Sequence, residues 1–380
     1  MQQVVLTKEA LVTGEDSLEY LGTIPYTKAV IVTGGHSMAR TGVLDKIKTI
    51  MKGTEENFSI YSGISKNPTD TQVLDGVEYM KKEKPDVVLA VGGGSSIDAA
   101  KVMVLMYEYP ELNFDNVYTT DLSDKKLKTK LIAVPSTSGT ASEVTQISVI
   151  TGEKTRIKMA IKSEYIRPAV AILDGSIPET LPAHIAAETG MDALTHALEA
   201  YINKNGNDFT YALAKEAIEG IMEWLPISFR TASLESRSKV HNFQCMAGMA
   251  FGNSGLGIVH GVSHAFGGQY NLAHGLMNAI ILPYSMDYNK KDPEVQKKYD
   301  KLSHILGGDV IQKVKELRES LEIPASICDA GVDEETYQKD YQILVDHSML
   351  GSTAVNPIPV SREDMEKFVD CVYYGRKVDF

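Results

Sequence analysis

The sequence predicts two folds in one chain: an open α/β domain over residues 1–180, then an all-helical domain over 181–380. Three observations carry this. In the first half, short β-branched runs alternate with helix-like segments, the rhythm of strands joined by crossover helices. Each strand-like run is apolar throughout, as a strand covered on both faces is. Past the proline-bounded stretch 178–182 (PETLP) the rhythm stops, and almost every later segment has helical spacing. A length of 380 residues fits two domains.

Composition narrows the function class. Hydrophobic residues at 43% and charged residues at 23% are those of a globular protein in water. A net charge of -12 argues against a nucleic-acid surface, which needs a basic patch. No apolar run is long enough to span a bilayer, and the first residues lack the basic start and apolar core of a signal peptide. No membrane partner and a cytoplasmic location are therefore expected. Cys245, Cys328 and Cys371 are widely spaced without a CxxC pair. They read as buried free thiols in a reducing compartment, not as a disulfide framework or thiolate metal site.

Taken in order, strands are expected at 29–33 (AVIVT), 87–91 (VVLAV), 131–134 (LIAV) and 170–173 (VAIL), with helices at 69–82 and 96–107 between them. An open sheet of this kind binds ligands at the carboxyl ends of its strands, and glycines gather there. VVLAV runs into Gly92, Gly93, Gly94, Ser95, Ser96 and Asp98. Glycines let the backbone approach a ligand, and the helix that follows offers free N–H groups and the positive end of its dipole. A pyrophosphate suits that arrangement, although the stretch is neither a Walker A loop nor a full GxGxxG fingerprint. LIAV runs into 135–143 (PSTSGTASE), whose hydroxyls read as a second wall of the same anion site, with Glu143 in the first turn of the next helix. AVIVT runs into Gly34, Gly35, His36, Ser37 and Arg40. An acidic residue at such a strand end binds the adenosine ribose diol and repels a 2′-phosphate. Here glycine stands in that place, with Ser37 and Arg40 able to hold a phosphate. Each of these turns alone would pass for a plain connection.

In the second half, 187–201 (AETGMDALTHALEAY) is a strong helix with an apolar stripe at Ala193, Leu194, Ala197, Leu198 and Ala200. Asp192 and His196 are four residues apart, so both project from one face and make half of a divalent-metal site. The other half lies in 257–275 (GIVHGVSHAFGGQYNLAHG), which holds His260, His264 and His274, three of the nine histidines. Three buried imidazoles would need three separate sets of hydrogen-bond partners, whereas one shared metal satisfies them together. Spacing leaves open whether His260 or His264 joins His274. The mixed charges of 290–301 read as a solvated loop or helix face, and 362–374 reads as an amphipathic helix.

The stretches GGGSSIDAAK (92–101), PSTSGTASEVT (135–145), GMDALTHALEAY (190–201), HGVSHAFG (260–267), residues 273–283 and Asn356-Pro357 together resemble the iron-containing, or group III, alcohol dehydrogenases over nearly the whole chain. The resemblance implies a dinucleotide-binding α/β domain and an all-α metal-binding domain of the dehydroquinate synthase-like fold, with the active site in the cleft between them. Carried over residue by residue, it makes Asp192, His196, His260 and His274 the metal ligands. His264 is then an unligated catalytic residue beside nicotinamide and substrate, either exchanging a proton or only orienting a ligand. The expected cofactor contacts are Gly34, Gly35, Ser37, Gly92, Gly93, Gly94, Ser95, Ser96, Asp98, Ser136, Thr137, Thr140, Thr145 and Lys158. Three departures stand out. Gly34 replaces the aspartate of NAD-using relatives, which favours NADP(H) over NAD(H). Ile358 follows Asn356-Pro357 where arginine is common, and Ser136 replaces a frequent threonine.

The implied chemistry is hydride exchange between a short primary alcohol, butanol- or propanediol-like, and NADP(H). A cation with open positions would lower the pKa of the alcohol hydroxyl or polarise the aldehyde carbonyl. One carboxylate with three imidazoles suits Fe(II), and Zn(II) would bind the same set. A homodimer or larger homo-oligomer is expected. The rival readings are a glycerol dehydrogenase-like polyol oxidation, a dehydroquinate synthase-like lyase and a non-catalytic regulator. The lyase would need basic residues for a phosphorylated substrate, and 184–201 and 257–277 contain no Lys or Arg. The regulator leaves His264 without a purpose.

Overall fold

The apolar runs of the first half are strands of one parallel sheet. The structure, a computed structural model, describes residues 3–155 and 158–380. Strands β1 (Ala10–Thr13), β2 (Ala29–Gly34), β3 (Phe58–Ile64), β4 (Val87–Gly92) and β5 (Lys130–Pro135) precede a hairpin of β6 (Ile147–Thr151) and β7 (Lys158–Lys162), then β8 (Val170–Leu173). The sheet is six-stranded in the order β1-β8-β5-β4-β2-β3. Its faces bury alternate residues of the same strand: Val30, Val32, Val88 and Ala90 join one core, while Ala29, Ile31, Val87 and Leu89 join the other. That two-sided burial is why these strands lack polar alternation. Helices α1 (Ser37–Arg40), α2 (Val43–Ile50), α3 (Asp70–Glu83) and α4 (Gly94–Glu108) make the crossovers. A capping box of Thr69 and Gln72 starts α3.

The direction of winding reverses between β2 and β4: β2 passes to β3 on one side, and β4 passes to β5 and β8 on the other. Such a switch point opens a crevice at the carboxyl ends of the two strands. Here those ends are Gly34 and Gly92.

Helices α5 (Ala183–Ile202), α6 (Asp208–Thr231), α7 (Leu234–Ser254), α8 (Ile258–Tyr270), α9 (His274–Asn289), α10 (Pro293–Leu306), α11 (Val310–Ser320), α12 (Glu334–Ser348) and α13 (Arg362–Tyr374) follow. The chain divides into two compact units, Gln3–Leu181 with Ser233–Cys245, and Pro182–Ala232 with Met246–Phe380. The return at Ser233–Cys245 was not visible in the sequence. Its polar side chains explain it: Arg237 donates to the Leu181 carbonyl at 3.1 Å, and Gln244 donates to Glu143 at 2.5 Å. Within the second unit, α5 is buried all round from Gly190 to Ile202, so its polar Asp192, His196 and Glu199 lie inside the helical bundle. The charged stretch expected as a loop or helix face runs into α10, capped by Asp292 and closed by Gly307. Cys245 and Cys371 are buried, but Cys328 is exposed, against the expectation of three buried thiols. It lies outside regular helix, between α11 and α12, where surface rather than core surrounds it. Among the described residues no helix is long and apolar enough to cross a membrane.

Candidate metal centre and dinucleotide cradle

In the first unit, β2 and β4 end side by side, and Ser96 fills the gap between them. A β-carbon on Gly92, whose φ is +149°, would stand 2.7 Å from the Ser96 hydroxyl, and one on Gly34 would stand 3.1 Å from it. Helix α4 opens on Gly93 without a side-chain cap, which leaves its N-terminal donors available to an anion. Thr140 crowds Gly94, its hydroxyl 2.5 Å from where a β-carbon would be, and Thr137 stands 3.5 Å from the same point on Gly93. The hydroxyl-rich turn therefore packs directly against the glycines. Ser136 joins it by donating its backbone N–H to the Gly92 carbonyl at 2.9 Å.

Other residues of the expected cofactor set are committed to the chain. Ser95 donates its hydroxyl to the Lys66 carbonyl. Asp98 accepts from Val149 N at 2.9 Å and from the Ser142 hydroxyl, and burial raises its carboxyl above the usual range. Thr145 accepts from the buried Lys101 ammonium at 3.3 Å, and Lys101 also donates to Ser142 and the Ile147 carbonyl, its pKa lowered by burial to about 8. Lys158 begins β7 opposite Thr151, and burial lowers its pKa. Gly35 and Ser37 are exposed, and beside them His36, Ala39 and Arg40 line a shallow surface cavity. Glu143 starts no long helix: it lies in a single 3-10 turn, buried, its carboxyl raised by desolvation.

In the second unit the histidine pattern closes around one carboxylate oxygen. Asp192 Oδ1 lies 3.8 Å from His196 Nε2, 3.8 Å from His260 Nε2 and 3.7 Å from His274 Nε2. His196 Nε2 and His260 Nε2 are 2.9 Å apart. Asp192, His260 and His274 offer donor atoms all within 4.8 Å of one another, a group that includes neither His196 nor His264. Of the two α8 histidines, His260 is the one whose ring nitrogen faces Asp192 in this cluster. His264 is half-buried one turn on, its ring stacked on His274 with centroids 5.0 Å apart. Burial raises the Asp192 carboxyl to about 6.

Helix packing sets these positions. A β-carbon on Gly275, beside His274, would stand 2.4 Å from the Glu188 carbonyl, so only glycine lets α9 approach α5 this closely. Phe251 stacks on the His196 ring at 4.3 Å. Ser263 holds His274 Nδ1 at 3.1 Å, which leaves its Nε2 facing Asp192. Val259, Val262 and Phe266 are fully buried and belong to the core around the cluster.

Sequence reasoning missed several members. Asn278 reaches Asp192 at 2.6 Å, His260 at 3.1 Å and His274 at 3.2 Å through its amide nitrogen. Its position four residues after His274 on α9 was the available signal. Glu199 holds His260 Nδ1 at 2.5 Å and is seven residues past Asp192 on the same helix face. One oxygen and three nitrogens of borderline hardness converge here, and Asn278 Oδ1 is buried without a hydrogen-bond partner among the described residues. That donor set fits a divalent cation.

Two family models cover the chain: iron-containing alcohol dehydrogenase over residues 8–175, and the C-terminal part of the Fe-containing alcohol dehydrogenase family over residues 186–373. An NADPH-dependent butanol dehydrogenase from Clostridium saccharobutylicum is 39% identical, with 97% of each chain covered. An aldehyde-alcohol dehydrogenase from Streptococcus pneumoniae is 35% identical over 95% of this chain, which spans 45% of that longer protein. Among solved structures, an iron-containing alcohol dehydrogenase from Thermococcus thioreducens superposes with a TM-score of 0.91 at 33% identity, covering 99% of this chain and 100% of that one.

Proposed function

Because this chain belongs to the iron-containing alcohol dehydrogenases, and so is an alcohol dehydrogenase or aldehyde reductase, we propose that it interconverts short primary alcohols and their aldehydes with NADP(H). Its metal ligands in this reading are Asp192, His196, His260 and His274, holding Fe(II), with Zn(II) as the ion most able to replace it. The observation that carries the reading is the approach of three imidazole Nε2 atoms to one Asp192 oxygen, at 3.7–3.8 Å.

When bound, the cation supplies Lewis acidity toward the alcohol or carbonyl oxygen, and the nicotinamide supplies the place that takes or gives the hydride. The protein's part is orientation and electrostatics. Asp192 contributes the negative charge, and burial withholds water from it. Ser263 keeps His274 turned so that Nε2 faces inward. His264, against His274, is the group positioned to exchange a proton with the substrate hydroxyl. The glycine turn at 92–94 and the wall at 136–140 hold the cofactor pyrophosphate, while Gly34, Ser37 and Arg40 admit a 2′-phosphate. The NADPH-dependent butanol dehydrogenase supports both the cofactor and the chain length. A cytoplasmic homodimer or larger homo-oligomer completes the reading, and sedimentation of the purified chain tests the assembly. The reaction is tested by metal analysis of that protein and by reduction of NADP and NAD with a panel of alcohols. Absence of bound metal, or no turnover with any primary alcohol, would overturn it.

A further inference from the structure

Helix α8 carries His260 as its third residue, yet its own first residues provide no cap: Gly257 precedes it with no side-chain hydrogen bond. Both of its leading N–H groups are instead capped from distant parts of the second unit. Val259 N donates to Glu199 Oε1 at 2.8 Å, and Ile258 N donates to Asn356 Oδ1 at 3.2 Å. The second oxygen of the same glutamate, Oε2, meets His260 Nδ1 at 2.5 Å. Glu199 is itself buried, at 3% exposure, and stands on α5, the helix that provides Asp192 and His196. Asn356 is fixed in turn, exchanging amide hydrogen bonds with Asn289 of α9 at 2.8 and 3.2 Å. A β-carbon on Gly257 would stand 2.9 Å from Asn356 Oδ1 and 3.0 Å from Glu199 Oε1, so the helix start is pressed onto both groups.

We propose that Glu199, assisted by Asn356, is a positioning residue that sets both the place and the tautomer of His260. The argument rests on the metal reading above. A carboxylate only accepts hydrogen bonds, so His260 must carry its proton on Nδ1, and Nε2 is left with the lone pair that faces Asp192 and His196. The same carboxylate satisfies an orphan donor at the positive end of α8, which ties the roll of that helix to α5. One side chain thereby couples the ring, the helix that bears it and the helix that bears the other ligands. Asn356 ties the start of α8 to Asn289 of α9, the helix of His274.

Glu199→Gln separates this role from mere packing, because it keeps the shape and removes one acceptor. If the glutamine oxygen keeps Val259 N, its amide N–H faces His260 Nδ1 and drives the proton to Nε2, the wrong tautomer for a metal. The readouts are the dissociation constant for added Fe(II) or Zn(II) by chelator competition and the imidazole ¹⁵N signals of the metal-free chain. Wild-type protein should show the His260 proton on Nδ1. Glu199→Gln should bind metal roughly 10–100-fold more weakly, with that proton moved, while its thermal unfolding stays near wild type. Asn356→Ala should weaken metal binding less and leave the Nδ1 proton in place. Wild-type affinity together with wild-type imidazole signals in Glu199→Gln would overturn the proposal. Failure of the wild-type protein itself to bind either ion would overturn the metal reading instead.

Discussion

A β-carbon on Gly34 would stand 2.7 Å from the carbonyl oxygen of Ile64. The two residues face each other where β2 and β3 end, after a register shift between Val32 and Gly34. Glycine is thus required there by the approach of β3, independently of the cofactor. Gly34→Asp alone is therefore an unclean probe of the 2′-phosphate, since any side chain must push β3 aside. Gly34→Ala should lower stability by about 1–3 kcal/mol without changing the NADP-to-NAD ratio. Gly34→Asp should match that loss and also shift kcat/KM toward NAD by roughly tenfold or more, a like-charge contact of about 1.4 kcal/mol. Steady-state kinetics of both variants with both cofactors decides the matter. An equal ratio in alanine and aspartate variants would remove Gly34 from cofactor choice.

Replacing Asp192, His196, His260 or His274 by alanine should abolish metal retention and turnover together. Each atom lies within 4 Å of the shared Asp192 oxygen or is that oxygen's own residue. Elemental analysis of dialysed protein provides the check. One equivalent of metal surviving in any of the four variants removes that residue from the ligand set.

The fold was legible where burial left an unmistakable pattern. The strands beginning at Ala29, Val87, Lys130 and Val170 are apolar because both faces of the sheet are covered. β1, by contrast, is a four-residue edge strand of alternating burial, too short for periodicity to distinguish it from a loop. The hairpin of β6 and β7 leaves no clear pattern in the sequence, since its strands are half-exposed and the first follows a hydroxyl-rich turn. In the second unit the clustering of Asp192 with the histidines was visible because Asp192 and His196 share a helix face. Glu199 was not singled out, although it shares that helix. A glutamate in an alanine-rich helix normally faces water, and its task is defined by the start of α8, some sixty residues away. The return of Ser233–Cys245 to the first unit was hidden for the same reason: Gln244 and His241 acquire partners only once Glu143 and Ser138 are in place.

His241 gives a pH dependence distinct from the metal. It is fully buried, its Nδ1 2.9 Å from the Ser138 hydroxyl, and burial lowers its pKa to about 4, against a smaller opposing effect of Asp174. The folded value lies below the unfolded one near ~6.5, so the folded chain disfavours the proton. The stabilising effect is complete above pH ~6.5 and is lost as pH falls toward 4, a change of about 3 kcal/mol. His241→Asn should flatten that part of the stability curve. Urea unfolding of both proteins at pH 7, 5.5 and 4.5 measures it, and parallel curves would refute the assignment.

Substrate choice should follow the lack of cationic side chains in the metal-bearing segments, where 184–201 and 257–277 hold no Lys or Arg. Butanol- or propanediol-like substrates should exceed phosphorylated or acidic aldehydes in kcat/KM by roughly 100-fold or more, because a charged group there would be desolvated without a partner. A preference for the acidic or phosphorylated members of a panel would contradict this.

His264 separates proton exchange from scaffolding. It stacks on His274 at 5.0 Å and meets His260 edge-on at 6.1 Å, so it lies against two rings of the cluster without belonging to the group of Asp192, His260 and His274. Two consequences of removing it are distinguishable. If the ring only supports His274, His264→Ala should loosen that ligand, and metal affinity should fall with turnover. If the ring passes the hydroxyl proton to solvent, metal content and the Kd for NADP(H) should stay near wild type, while kcat drops by about 10²–10⁴-fold. Added free imidazole should then restore part of the lost rate, since it can enter the space left by the truncated side chain and exchange the proton. His264→Phe keeps the stack without a titrating nitrogen and sharpens the contrast. The expected outcome is a phenylalanine variant that retains metal and lacks turnover. A phenylalanine variant within a few-fold of wild-type kcat would reduce His264 to a packing residue.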